Sequence, residues 1–540
     1  MLQEQESDIL TSYRDLTTNR DGIRVGFWQK ADHLAQAVTD CCDRRKLWFL
    51  GGFSLLYLMS TFMLAYRKPM WNDELFTFYI SRLPNVSELW SALMTGADQI
   101  PPLFYLITRG SFFLFGVNHL SIRLPEAVGF WIMSLCLFRF VSKRSSALYG
   151  FTAMLFPLVT TAYDYAYEAR PYGLVLGFCG LALLCWQSAA DGYWRKVSLI
   201  GLVTSCAAAV STHYYGVLIF FPLAIGELVR SISQRRFDVP IWLAFGLALT
   251  PLLLFLPLIE QARTYAANFW ARPHWGSIPE FYYFLLIPAL SPLVAVLVLA
   301  AGFSASDSPG GINRDQELQP KLLSHEIAAA FGFIAVPFVA VAIAVFITGA
   351  FTYRYALPSV IGFSILFPLA AARLLDGRAI IRVALMIALC AAFMVLNIRT
   401  LQTVTSVSQK ESQAYNFLRS NGEGLWPIVV SDAHTFMMLA HYTPRDIASR
   451  LVYLADPEGS LRYLGQTTVD RGLLDLKSVF GLSIHDYHAY IASQDQFFVY
   501  GPIGMKYMNW LLFELTHDDM QIELKGRNED SLLFLVSRKK

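Results

Sequence analysis

The chain has 540 residues, of which 55% are hydrophobic, 14% aromatic and only 16% charged; with a mean hydropathy of +0.42 this excludes an ordinary soluble globular domain and points to a polytopic membrane protein. The formal net charge is +2, so neither a basic nucleic-acid surface nor an acidic tail is present, and nucleic acid is not expected among the partners. Seven cysteines occur and none follows Cys390, which leaves the polar C-terminal region without a disulfide framework or a thiolate metal site.

In chain order, residues 1–46 are polar and end in Arg44, Arg45 and Lys46. A cleavable signal would begin its apolar region sooner, so the first span is read as retained, with a cytoplasmic N-terminus. Windows of about 20 apolar residues cross a bilayer core. They occur at 47–66, 124–141, 147–162, 171–189, 197–211, 215–229, 239–258, 284–303, 327–347, 356–372 and 380–397, which predicts about eleven transmembrane helices within a module spanning 47–398. Lys and Arg fall in every second connection (Lys143/Arg144, Arg195/Lys196, Arg230/Arg235/Arg236, Arg314/Lys321, Arg373/Arg378), as short cytoplasmic loops require; Arg67, Lys68 and Arg123 are outer-side exceptions. The alternation holds only if the apolar piece 101–115 does not span, and its leading Pro-Pro and Arg109 favour a helix lying in the interface. The outer face then receives loops 67–123 and 259–283.

From about residue 399 charges, His and Gly return. The short apolar runs "PIVVS", "RLVYLAD", "QFFVYG", "QIELKG" and "SLLFLVSR" alternate with helix-like stretches at 412–419 and 435–442. This predicts a small α/β periplasmic domain over 399–540. The expected fold class is thus an α-helical polytopic membrane protein with a C-terminal α/β domain on its outer side.

The polar chemistry gathers on that side. "PMWNDELF" puts Asp73 and Glu74 among aromatic residues just after the first span, where shielding from water can raise a carboxyl toward the range useful for a general base; a solvated pair is the alternative. "YDYAYEARPYG" carries Glu168 and Arg170, readable as an ion pair or as an arginine fork for a phosphate. "TYRYALP" brings Arg354 between Tyr353 and Tyr355, either as a phosphate ligand or as a snorkelling interfacial arginine. His213 and Tyr214 in "STHYYG", and Trp270 and His274 in "NFWARPHW", are weaker candidates for substrate contact, since a lone loop histidine is commonly structural. No HExxH, paired-Cys motif or aspartate cluster occurs, so no metal and no cofactor are indicated, and the absence of a Gly-rich phosphate loop gives no sign of a nucleotide substrate.

The run "WNDELF", "PPLFYLITRGSFFLFG", "SIRLPEAVGF", "YEARPYG" and "TYRYALP" resembles the GT-C membrane glycosyltransferases, within them the family 39-like branch of protein O-mannosyltransferases and lipid A aminoarabinose transferases. The resemblance covers about 47–397. It implies a polyprenyl-phosphate sugar as donor, a periplasmic acceptor (glycan, lipid or protein hydroxyl), inverting displacement at the anomeric carbon and residence in a bacterial inner membrane. Under it, Asp73 is the base with Glu74 shaping or sharing the site, and Arg170 and Arg354 bind the donor phosphate. The chain departs from the eukaryotic mannosyltransferases in lacking a β-trefoil insertion before Phe284 and in carrying its C-terminal domain. A transporter or flippase of lipid-linked saccharides is the alternative from another class; it is disfavoured because no repeat is seen and the ionisable residues cluster at one interface instead of the bilayer middle.

Overall fold

The computed structural model describes residues 30–304, 322–374, 379–422, 424, 426–503 and 510–539. Each of the eleven apolar windows coincides with helix. Among the described residues, six helices are long and apolar enough to cross a bilayer: Lys46–Arg67, His119–Ser142, Tyr172–Ala190, Tyr214–Gln234, Ser277–Ala295 and Ala379–Asn421. Two further windows are bent pairs, Val239–Leu254 with Leu256–Asn268 (62°) and Ser324–Ile334 with Val336–Thr348 (45°), which raises the number to eight. Pro257 and Pro337 follow the two breaks by two residues, and each removes a backbone donor just where the direction changes. The other three windows form helices that are shorter (Ala147–Val159, Ser359–Ala371) or more polar (Arg195–Thr212). Apolar composition reported them as helices without fixing how each crosses. The basic connections expected on the inner side meet acids there: Arg144 bridges Asp191 and Glu326, and Arg230 bridges Glu227 and Asp238. Arg314, Lys321, Arg373 and Arg378 lie outside what can be described of side chains.

The helix Pro102–Phe115 has 14 residues, about 21 Å at 1.5 Å per residue and too short for a core of about 30 Å. One face packs inward through Phe104, Tyr105 and Phe112, while Phe113, Leu114 and Phe115 at its tip are exposed. The helix begins at the Pro-Pro pair and is too short to span, as the charge alternation requires.

The bundle is tightest where His119–Ser142 crosses Tyr172–Ala190. A Cβ on Gly129 would come 2.5 Å from Gly173 O, and one on Gly177 would come 2.5 Å from Gly129 O, so only glycine lets these backbones touch. Glu126 reaches across the contact and accepts Leu174 N–H at 2.8 Å. The second helix is thereby pinned just after Arg170 and Pro171.

A buried ion pair then fixes the end of the bundle that meets the C-terminal domain. Arg123 and Glu74 are both fully buried. Arg123 donates from Nε to Glu74 Oε1 and from Nη2 to Oε2, each at 2.7 Å, and also to the carbonyls of Ala65, Lys68 and Pro69 at 2.6–3.0 Å. Glu74 in turn accepts Ala169 N–H at 2.7 Å and Trp71 N–H at 3.3 Å. Arg123, an exception to the charge alternation, is thus fully engaged with protein and not an interfacial cation.

The 43-residue helix Ala379–Asn421 runs from the last apolar window into the C-terminal region, so the expected boundary at 398/399 falls inside continuous helix. Six strands follow: β1 Ile428–Val430, β2 Leu451–Ala455, β3 Ile484–Asp486, β4 Gln496–Pro502, β5 Met520–Arg527 and β6 Ser531–Arg538. Their order is β3-β2-β1-β4-β6-β5. The first four are parallel; β6 and β5 close the sheet antiparallel, with Val499 opposite Phe534. The five apolar runs became five of these strands, and only β3 carried no such run. One sheet face packs on Val429, Val452, Tyr487, Phe497 and Leu515. The other shares a single core with the outer loops, joining Phe436, Tyr453, Leu473 and Phe480 to Leu75, Phe78, Leu89, Phe104 and Ile122.

Breaking the buried pair with Glu74→Gln should lower stability by about 3–5 kcal/mol, because Arg123 stays buried with its charge uncompensated; the thermal midpoint of the purified protein in detergent checks this. In the C-terminal domain, Asp470 is buried, accepts from Tyr453 and Ser460, and burial pushes its carboxyl up to about 6. Its folded value exceeds the unfolded value of about 4, so its contribution is most favourable below pH about 4 and is lost as pH rises to about 6. Hydrogen-exchange protection of β1 and β2 in the full chain should therefore fall by about 2–3 kcal/mol over that window, and Asp470→Asn should flatten the dependence.

Candidate active site

Between one end of the helical bundle and the C-terminal domain lies a cavity of about 380 Å³. Its membrane-side wall carries Trp71, Asp73, Asp98, Arg170, Tyr172, His213, Arg354 and Tyr355; its far wall carries His434, Gln466, Thr468 and Val469; and Phe269 and Trp270 close one side. Asp73 opens the helix Asn72–Ser81, whose first turn favours a carboxylate. Arg170 sits in the turn that Glu126 and Glu74 fasten on either side, and Arg354 lies in a single turn of 3-10 helix, Tyr353–Ala356.

These three side chains meet. Arg354 Nη1 donates to Asp73 Oδ2 at 2.9 Å, and Arg170 Nε stands 3.9 Å from the same oxygen. Arg170 also faces Asp98, with Nη1 3.4 Å from Oδ2, and Tyr105 donates to that carboxylate at 2.6 Å. Arg354 lies over the rings of Trp71 and Tyr172 at 5.6 and 5.7 Å, which stabilises a guanidinium withdrawn from water.

Burial alone would raise the Asp73 carboxyl, but Arg354 and then Arg170 outweigh it and hold the group below the usual carboxylate range. The upward shift expected from its membrane-proximal setting is therefore reversed, because the arginines read as phosphate ligands are its own neighbours. His213 is driven down to about 3 by burial and by Arg170 and Arg354, and its Nδ1 accepts Tyr215 N–H at 3.1 Å. It is a neutral imidazole that adds no charge.

Of the residues singled out in the sequence, Asp73, Arg170, Arg354, His213, Tyr355 and Trp270 line this cavity. Glu74 does not. It points away from the cavity into the Arg123 pair, so its place is in the scaffold under Asp73 and not beside it. Glu168 pairs with Lys68 at 3.1 Å. Tyr214 packs against the core shared with the C-terminal domain. Tyr353 donates to Glu280 at 2.7 Å and faces a separate open groove with Thr161, Pro279, Tyr283, Phe284 and Ile287. His274 is exposed near Glu280. Sequence reasoning missed Asp98, whose only signal was its place three residues before the Pro-Pro start, and missed His434, Gln466 and Thr468, which come from a domain whose docking no local pattern reports. Among the described residues no group of three or more His, Cys, Asp or Glu gathers to hold a metal.

Residues 99–259 match the family model of dolichyl-phosphate-mannose-protein mannosyltransferases. The chain superposes on ArnT from Cupriavidus metallidurans in the apo state, with a TM-score of 0.52 at 11% identity, covering 90% of this chain and 98% of that one. The chain thus shares the fold of ArnT. The same enzyme bound to undecaprenyl phosphate gives a TM-score of 0.54 with the same identity and coverage. No curated protein sequence matches the chain. The segment matched by the family model contains Arg170 and His213, while Asp73, Asp98 and Arg354 fall outside it. The site is thus completed by tertiary structure beyond the recognisable stretch. As the apolar helices also indicate, this is a multi-pass membrane protein.

The C-terminal wall of the cavity is clasped to the 264–269 segment. Thr467 N–H and Thr468 Oγ1 both donate to Asn268 O at 3.2 Å. Arg471 donates to Thr264 O and Oγ1 at 3.0 Å and lies 4.0 Å over the Tyr265 ring. Arg471→Ala should weaken this clasp by about 1–2 kcal/mol. Hydrogen exchange at 264–270 and 466–472 should then rise severalfold, with little change in the global thermal midpoint.

Proposed function

We propose that the chain is a membrane glycosyltransferase that moves a sugar from a polyprenyl-phosphate donor to a hydroxyl acceptor, with inversion at the anomeric carbon. The observation that carries this reading is the convergence of Asp73, Arg170 and Arg354 in one cavity at the outer end of the bundle. Two guanidiniums placed together suit the oxygens of a phosphodiester. As the bond from the anomeric carbon to the phosphate oxygen breaks, its electron pair stays on the phosphate, and the arginines stabilise the charge that grows there. The acceptor oxygen bonds to the anomeric carbon from the opposite face, and its proton passes to Asp73. A phosphate is a good leaving group, so the reaction calls for neither nucleotide nor cofactor.

The remaining surfaces suit the two substrates. The groove of Pro279, Tyr283, Phe284 and Ile287 abuts Tyr353, the neighbour of Arg354, and would receive the prenyl chain at membrane level. The wall of His434, Gln466 and Thr468, with the half-exposed Trp270 beside it, presents hydrogen-bonding groups and an aromatic face to the acceptor. ArnT from Cupriavidus metallidurans, similar in fold, has been crystallised with undecaprenyl phosphate, which supports a lipid-phosphate donor for this chain as well. In this reading the protein resides in a bacterial inner membrane, with its N-terminus cytoplasmic and its C-terminal domain periplasmic.

With purified protein and polyprenyl-phosphate sugars, Asp73→Asn should reduce transfer by about 10²–10⁴-fold, the usual worth of a positioned base. Arg170→Ala and Arg354→Ala should each cost about 10²–10³-fold. Wild-type turnover in Asp73→Asn would remove the base assignment. Substrate-dependent flux of a lipid-linked saccharide across proteoliposomes, with no glycosidic product, would replace the transferase with a transporter.

A further inference from the structure

The two site arginines are held differently from the structural one. Arg123 makes five hydrogen bonds of 2.6–3.0 Å. Arg354 makes one of that quality, to Asp73, beside a 3.4 Å bond to Thr352 Oγ1. Arg170 makes only long ones, 3.2 Å to Asp73 O and 3.4–3.5 Å to Asp98. Its Nε is buried with no acceptor, although the residue is only 7% exposed. An orphaned guanidinium donor in such a place is costly, and it is aimed at Asp73 Oδ2, 3.9 Å away. Two planar forks, each able to grip two oxygens, thus converge on one carboxylate oxygen. A phosphate, with more oxygens and a tetrahedral spread, satisfies both forks better.

On the reading of the site as a lipid-phosphate transferase, we infer that Asp73 occupies the anion position of Arg170 and Arg354 until the donor phosphate displaces it, so that donor binding and release of the base are a single exchange. The charges balance throughout. Asp73, Asp98, Arg170 and Arg354 sum to zero, and a bound phosphodiester brings the site to −1. Transfer moves the acceptor proton onto Asp73 while the phosphate gains one negative charge, so the sum stays at −1 as the arginines' counter-charge passes from carboxylate to phosphate. Asp73 paired to two arginines is a weak base, and Asp73 displaced from them is a stronger one. The carboxylate is therefore activated only when a sugar phosphate is in place, and an acceptor arriving first meets a base that cannot take its proton.

The exchange makes a counter-intuitive demand on binding, tested with undecaprenyl phosphate and the purified full-length chain. Removing the competing carboxylate in Asp73→Asn should tighten affinity about tenfold while abolishing transfer. Asp73→Glu, which keeps the competitor, should bind within about twofold of wild type. Asp98→Asn, which removes an equal charge that the phosphate does not displace, should gain clearly less than Asp73→Asn. Arg354→Ala should weaken binding about tenfold or more. If Asp73→Asn does not fold by thermal melting and gel filtration, Asp73→Ser takes its place with the same expectation. Unchanged or weaker affinity in Asp73→Asn (or in Asp73→Ser where that stands in for it), or equal gains in Asp73→Asn and Asp98→Asn, would overturn the exchange while leaving the phosphate site intact provided Arg354→Ala still loses affinity. No binding of undecaprenyl phosphate by wild type would overturn both.

Discussion

The end of the bundle that meets the C-terminal domain depends on one buried charge pair. Arg123 and Glu74 are sealed from water, and between them they hold the end of the first span, the loop that follows it, the start of His119–Ser142 and the turn before Tyr172–Ala190. A desolvated pair is tolerable because every partner is supplied, five bonds on the arginine and four on the carboxylate. Adjacent residues on one helical turn then separate by role. Glu74 faces inward and fixes the frame, and Asp73, rotated by about 100°, is delivered into the cavity.

The same logic explains the contrast among the arginines. Where the protein needs rigidity it saturates the guanidinium, as in Arg123; where it needs a binding surface it leaves the forks undersupplied, as in Arg170 and Arg354. Tyr172 and Trp71 keep Arg354 in place by their ring faces without consuming its donors. Positioning and availability are supplied by different kinds of contact, and neither is sacrificed to the other.

Much of this was legible in the chain. Apolar length gave the helices, Pro-Pro marked the start of the short helix Pro102–Phe115, and short apolar runs gave five of the six strands. Asp73, Arg170 and Arg354 stood out because charges at membrane depth are costly. Three things were not legible. Glu74 and Asp73 look alike in sequence, and only the partner Arg123, 49 residues on, tells them apart. Strand β3 is three residues long and exists through its pairing of Ile484 with Tyr453. His434 reaches the cavity because a whole domain docks there, through a core shared between Phe436 and Phe78, and a core between distant segments leaves no periodicity to read.

The helix Ala379–Asn421 adds a mechanical dimension. It is unbroken from the bilayer to the foot of β1, and Leu418 near its far end packs in the core beneath the sheet. Its last 22 or so residues form an arm of about 33 Å. A change of about 5° in the tilt of the membrane half would swing the arm's end by about 3 Å, and the thickness of the surrounding lipid is one of the influences on such tilts. Leu418 and the shared core tie that arm to the domain bearing His434, so one continuous element relates the tilt of a membrane helix to the wall that faces Asp73.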